Sequence, residues 1–211
     1  MLYLHSMGHF NPENIISNEF LEELDIGTIN EWIMERVGVQ NRRTVLPLDY
    51  IRKTKNINPR ESFSIRQYTN ARAAFVSGGV GSRPSGWTKV GVTGDWVFSQ
   101  DGNAVQGFAI RTTSQYLKEL QKQYAGDKRR LIFIAHQANY MMLKAVCERR
   151  EISNENHWYN VDQFGNTGCC GAPSTLSMHW EEIKPGDNIA MVIFGAGLTR
   201  AYMMLKAGSE Q

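Results

Sequence analysis

Three short stretches carry groups suited to stabilising negative charge on an oxygen atom. The first is Ala135–His136–Gln137–Ala138–Asn139, directly after an apolar run. A histidine at a strand end and near a helix N-terminus has its charged form disfavoured by burial and by the helix dipole. The neutral imidazole then has one N–H to donate to a developing oxyanion. The second is Phe164–Gly165–Asn166–Thr167–Gly168, where Asn166 offers an uncharged amide donor on a tight turn. The third is Phe194–Gly195–Ala196–Gly197, where small residues let a backbone amide approach a ligand closely. Taken alone, each also fits a purely structural role. Alone, His136 reads first as a core histidine and Asn166 as turn chemistry, and the glycines read equally as a strand bulge.

These groups need elements to hold them. Residues 131–135 and 189–194 are uninterrupted apolar runs, the pattern of strands buried on both faces. A helix is expected over 139–149, with Met142, Leu143, Val146 and Cys147 on its apolar side, and an amphipathic helix over 105–124. Residues 158–161 read as a strand. Residues 173–182 read as a helix with Pro173 in its first turn. Lys184–Pro185–Gly186–Asp187 is a turn, and the last strand runs from 198 to 205.

Toward the N-terminus, residues 2–8 read as a first strand and 11–14 as a turn. Ser17 or Asn18 caps a helix through Phe20, Leu21 and Leu24. Thr28 or Asn30 caps a second helix with Trp32, Ile33 and Arg36, ended by Gly38. From 42 to 83 the pattern weakens, and 84–103 suggests short strands. Alternating strands and helices argue an α/β fold with a buried sheet.

Composition narrows the function. The 211 residues carry a net charge of +2, too mild for nucleic-acid binding. Cys147, Cys169 and Cys170 are odd in number and include a neighbouring pair, which argues for free thiols in a reducing, cytoplasmic setting. No signal peptide and no membrane-spanning run is expected. The five histidines are dispersed without ligand spacing, so no metal site is expected.

The order and spacing of the motifs resemble the type III ketoacyl-acyl-carrier-protein synthases, members of the thiolase fold. At the front the resemblance rests on Glu31–Trp32–Ile33, Arg36, Gly38 and Arg42–Arg43. At the back it rests on His136–Gln137–Ala138–Asn139, Gly165–Asn166–Thr167, Ile183–Lys184–Pro185–Gly186–Asp187 and Phe194–Gly195–Ala196–Gly197. Asp101–Gly102–Asn103 with Val105, Phe108 and Ala109 lies between. The resemblance implies a thiolase-like layered α/β fold, with residues 1–84 a reduced N-terminal half and residues 85–211 a complete C-terminal half.

It also implies an acyltransferase that condenses an acyl thioester with a malonyl thioester, as in fatty acid or polyketide-type biosynthesis. His136 and Asn166 would bind the malonyl thioester oxygen, and the Ala196 amide would help form an oxyanion hole. Trp32, Arg36 and Asn139 would bind substrate. Acyl carrier protein and coenzyme A thioesters are the implied partners, with no further cofactor. A reduced N-terminal half implies a homodimer or hetero-complex.

The chain departs from the family pattern at the nucleophile. No cysteine precedes Cys147, and the family's nucleophile-bearing segment, expected after Asn70–Ala71, is missing. Cys147 reads as a packed small hydrophobe. Cys169 and Cys170 lie at the pseudo-symmetric counterpart of the nucleophile's helix and are candidate surrogates. A non-catalytic partner subunit and a malonyl-thioester decarboxylase remain alternatives.

Overall fold

The computed structural model describes residues 4–55, 88–90, 98–100, 102–195 and 199–208. Its centre is a three-stranded sheet of order β5–β6–β7, with β5 Leu131–Ala135, β6 Asn188–Gly195 and β7 Thr199–Lys206. β5 runs parallel to β6, with Ala135 opposite Val192. β7 returns antiparallel, with Thr199 opposite Gly195.

The apolar runs explain why this sheet sits at the core. Alternate residues of β5 and β6 serve opposite faces. Phe133, Ala135, Ala190 and Val192 pack with Leu117 and Leu120 of α4 (Gly102–Gln123) and Leu143, Val146 and Cys147 of α5 (Tyr140–Arg150). Ile132, Ile134, Ile189 and Met191 pack with Trp158 and with Ala172 and Leu176 of α7 (Gly171–Met178). Helices thus cover both faces, as the continuous apolar strands require.

The N-terminal elements are smaller. β1 Asn14–Ser17 pairs antiparallel with β2 Asn41–Thr44. α1 Asn18–Glu23 is capped by Ser17, whose Oγ accepts the Phe20 N–H at 3.2 Å. α2 Asn30–Arg36 and α3 Leu48–Thr54 follow. Phe20, Leu24, Leu46 and Ile51 form a small core of their own. β3 Thr88–Val90 pairs antiparallel with β4 Phe98–Gln100, as the alternation there suggests.

Several expectations change. Residues 4–8 form no strand, and the first strand begins at Asn14, inside the expected turn, because its partner is the polar strip Asn41–Thr44. The expected strand over 158–161 is one parallel bridge, Phe133 to His157, followed by the short helix α6 Val161–Phe164. The ladder stops because the Gln137 side chain, not a strand, takes the N–H groups of Asn160 and Val161. α2 follows Ile29, which makes no side-chain cap; the Glu22 carboxylate accepts the Asn30 N–H instead. Gly38 ends this helix with φ +68. The expected helix over 173–182 begins at Gly171 and tightens into a 3-10 turn at Trp180–Glu182. The boundary between residues 84 and 85 lies outside the described residues.

Candidate active site

The site grows from the carboxyl ends of β5 and β6, where ligands collect in parallel α/β sheets. The His136 backbone N–H continues the ladder to the Val192 carbonyl at 2.8 Å. Its ring meets the Phe194 ring edge-on, with centroids 6.4 Å apart. Nδ1 is buried and has no hydrogen-bond partner among the described residues. Burial lowers the pKa of His136, which disfavours the imidazolium. A crevice of about 20 Å³ runs beside it, lined by Ala109, Thr113, Met142 and Phe194 among others. That is room for one water.

The residues after His136 serve structure. Gln137 is fully buried; its Nε2 donates to the Ala135 carbonyl at 2.7 Å, and its Oε1 accepts from Asn160 at 2.9 Å and Val161 at 3.2 Å. Asn139 caps α5, accepting the Met142 N–H at 3.0 Å, and donates through Nδ2 to the Arg36 carbonyl at 3.1 Å. One of its two amide hydrogens is thereby used. The bond ties the helix that carries Trp32 and Arg36 to the His136 loop. Trp32 and Arg36 themselves are solvent-exposed.

Asn166 stands on the turn between α6 and a 3-10 turn at Gly168–Cys170. Gly165 enters that turn with φ +66, open to glycine at little cost. Asn166 Oδ1 accepts the Gly168 N–H at 3.0 Å, fixing the side chain over its own turn. The two loops meet at Gly171, where a Cβ would lie 2.6 Å from Gln137 Cβ and 3.3 Å from Thr167 Oγ1. His136 and Asn166 are the immediate neighbours of those two contacts. Ala196 lies outside the described residues; the flanking Gly195 and Thr199 are paired across the hairpin.

The three cysteines separate cleanly. Cys147 is buried and its thiol is pushed up to about 12 by burial and by Glu148. Cys169 and Cys170 are exposed on the turn after Asn166. Burial and the neighbouring Cys169 raise the pKa of Cys170, the reverse of what activates a thiol. Among the described residues no group of three or more His, Cys, Asp or Glu side chains gathers to hold a metal, and no helix is long and apolar enough to cross a membrane.

His136 and Asn166 are candidates from the sequence, which gave no role to Gln137 or Gly171. Their signal was present: a polar residue one position past a buried strand, and a glycine opening a helix.

Part of the chain is similar to known proteins. Residues 127–207 match the family described as the C-terminal domain of 3-oxoacyl-[acyl-carrier-protein] synthase III. A beta-ketoacyl-[acyl-carrier-protein] synthase III of Syntrophomonas wolfei is 35% identical over 114 residues, covering 53% of this chain and 34% of that protein. One from Aliarcobacter butzleri is 36% identical over 108 residues, covering 50% and 32%. The chain therefore spans about a third of the length of the curated relatives it matches. The solved 3-oxoacyl-[acyl-carrier-protein] synthase III of Aquifex aeolicus superposes with a TM-score of 0.64 at 18% identity, over 93% of this chain and 97% of that one. The Thermus thermophilus structure gives 0.67 at 18%, over 95% and 98%. At that identity the likeness establishes the thiolase-like fold.

Proposed function

We propose, for a chain whose residues 127–207 match the C-terminal domain family of the type III 3-oxoacyl-acyl-carrier-protein synthases, that His136 and Asn166 hold a malonyl thioester for decarboxylative condensation with an acyl thioester. The observation that supports this reading is the half-buried His136, its pKa lowered by burial, next in sequence to Gln137, whose Cβ lies 2.6 Å from where a Cβ on Gly171 would stand.

The chemistry follows from two neutral donors. His136 and Asn166 each donate to the malonyl thioester oxygen. The bond to the carboxylate carbon breaks, carbon dioxide leaves, and the electron pair moves onto that oxygen as an enolate. Donors fixed in place stabilise this charge without reorganising. The enolate carbon then attacks the acyl thioester carbonyl. A new carbon–carbon bond forms, the carbon–sulfur bond breaks, and the thiolate leaves and takes a proton. The Ala196 amide is the proposed donor to the acyl oxygen. A neutral imidazole suits the site better than a cation, because a cation would bind the malonyl carboxylate and oppose its loss as carbon dioxide.

Trp32 and Arg36 are proposed to hold the nucleotide end of coenzyme A, by stacking and by phosphate pairing. Asn139 joins their helix to the His136 loop and keeps one amide hydrogen for a substrate oxygen. Acyl carrier protein is the proposed second thioester donor. A cytoplasmic setting and a dimeric or hetero-complexed state belong to the same reading, the first supported by three free cysteines.

A second reading has a specific observation in its favour. The pKa values of Cys147 and Cys170 are both raised, and decarboxylation without acyl transfer is the reading that needs no thiol nucleophile. Mass spectrometry separates the two. Incubation of the full chain with acyl-coenzyme A and malonyl-acyl-carrier protein yields a 3-oxoacyl thioester on the first reading. Carbon dioxide with acetyl-acyl-carrier protein alone supports the second, and neither product rejects both.

A further inference from the structure

One stretch of chain, residues 36–43, touches both loops of the site. Its first half holds the His136 side. The Arg36 carbonyl accepts from Asn139 Nδ2 at 3.1 Å, and the Val37 carbonyl accepts the Tyr140 N–H at 2.9 Å. Gly38 packs so closely that a Cβ would lie 2.8 Å from Tyr140 Cδ1. Its second half holds the Asn166 side. The Gln40 N–H donates to the Asp162 carbonyl at 2.7 Å. Asn41 Nδ2 donates to Gln163 Oε1 at 2.9 Å, and Gln163 Nε2 donates to Gln40 Oε1 at 3.0 Å. The Arg43 guanidinium lies over the Phe164 ring, 5.5 Å from its centroid.

Arg42 is the anchored member of this strip. Its Nη1 donates to Asn18 Oδ1, and the buried Asn18 donates in turn to the Val39 carbonyl at 2.9 Å and to Asn30 Oδ1 at 2.8 Å. The stem of Arg42 runs under the Asn166 turn, with Cγ 3.0 Å from where a Cβ on Gly165 would stand. Among the described residues no carboxylate pairs with this half-buried guanidinium, and burial lowers its pKa. A cation desolvated without an opposite charge costs stability. Its contacts give geometry in return: they join the start of α2, through Asn30 and Asn18, to the residue before Asn166.

We propose that Arg42 is a positioning residue for the Asn166 turn, and that the strip 36–43 sets the separation of Asn166 from His136. The catalytic meaning of this proposal rests on the malonyl-thioester reading; the mechanical link does not. Misplacing a reacting group by about an ångström costs on the order of a hundredfold in rate, so a side chain that touches no substrate can still limit turnover.

The test uses the full chain and three variants: Arg42→Met, which removes the head group; Arg42→Lys, which keeps an alkyl stem and a cation; and Asn41→Ala, which spares Arg42 but cuts the strip's bond to Gln163. Two readouts are taken: the side-chain amide resonances of Asn166, assigned with Asn166→Asp, and carbon dioxide release from malonyl-coenzyme A. Arg42→Met is expected to move the Asn166 amide resonances and to lower kcat about 10- to 100-fold, with KM within about twofold. Arg42→Lys is expected to restore most of both. Asn41→Ala is expected to move the same resonances less, and it decides the matter if Arg42→Met does not fold. Unchanged Asn166 resonances in folded Arg42→Met, or in Asn41→Ala in its place, overturn the proposal. A silent wild type in the carbon dioxide assay sinks the malonyl-thioester reading, and the resonances still decide on Arg42.

Discussion

Gly171 and Gln137 touch so closely that no side chain fits between them: a Cβ on Gly171 would stand 2.6 Å from Gln137 Cβ. At this contact the loop after β5 meets the helix that follows the Asn166 turn. Gly171→Ala must therefore push Gln137 or Thr167 aside. Overpacking of this kind costs about 1–3 kcal/mol. Urea unfolding should show a midpoint shift of that size with an unchanged m-value, and a fall in activity larger than the loss of folded protein. A variant as stable and active as wild type would mean that the two loops are held apart by other means.

Acid should unfold the chain through His157. Burial among Phe133 and Tyr159 holds its pKa down to about 4, against an ordinary value near 6.5. Between these values the unfolded chain binds the proton and the native one does not. Stability is then complete above about pH 6.5 and falls as pH drops toward 4, by a few kcal/mol in all. His136 shifts in the same direction and adds to the trend. His157→Phe should flatten unfolding free energy over pH 4 to 6.5; a slope as steep as in wild type would assign the acid sensitivity elsewhere.

Thiol chemistry should divide the cysteines. Cys169 and Cys170 are exposed, whereas Cys147 is buried with its thiol pushed up to about 12. Iodoacetamide at neutral pH should label the first two and reach Cys147 only in denaturant, as peptide mapping would report. Rapid native labelling of Cys147 would show that α5 opens.

The parts of the fold legible in the sequence are those where burial dictates residue type. β5 and β6 are buried on both faces, so they had to be apolar runs, and the loops at their ends followed. The pair β1–β2 was illegible because its partner strand, Asn41–Thr44, is polar and its pairing is set by long-range register. The strand expected at 158–161 failed for the opposite reason: its residues suit a ladder, but one distant side chain, Gln137, takes the two N–H groups that would extend it. At the site, His136 and Asn166 are candidates from residue type, position and the order of the motifs around them. Arg42 was visible only as part of a motif, because its influence passes through contact with Gly165 rather than through chemistry of its own.

If His136 and Asn166 act together on a malonyl thioester, carbon dioxide release from malonyl-coenzyme A reports it without needing an acyl acceptor. The wild-type chain should release carbon dioxide, and His136→Ala and Asn166→Ala should each reduce the rate about 10²- to 10³-fold while remaining folded. The double variant should lose little more, because donors acting on one oxygen are not additive. Release undiminished in both single variants, or no release from the wild type at any concentration of malonyl thioester, would overturn this role for the two residues.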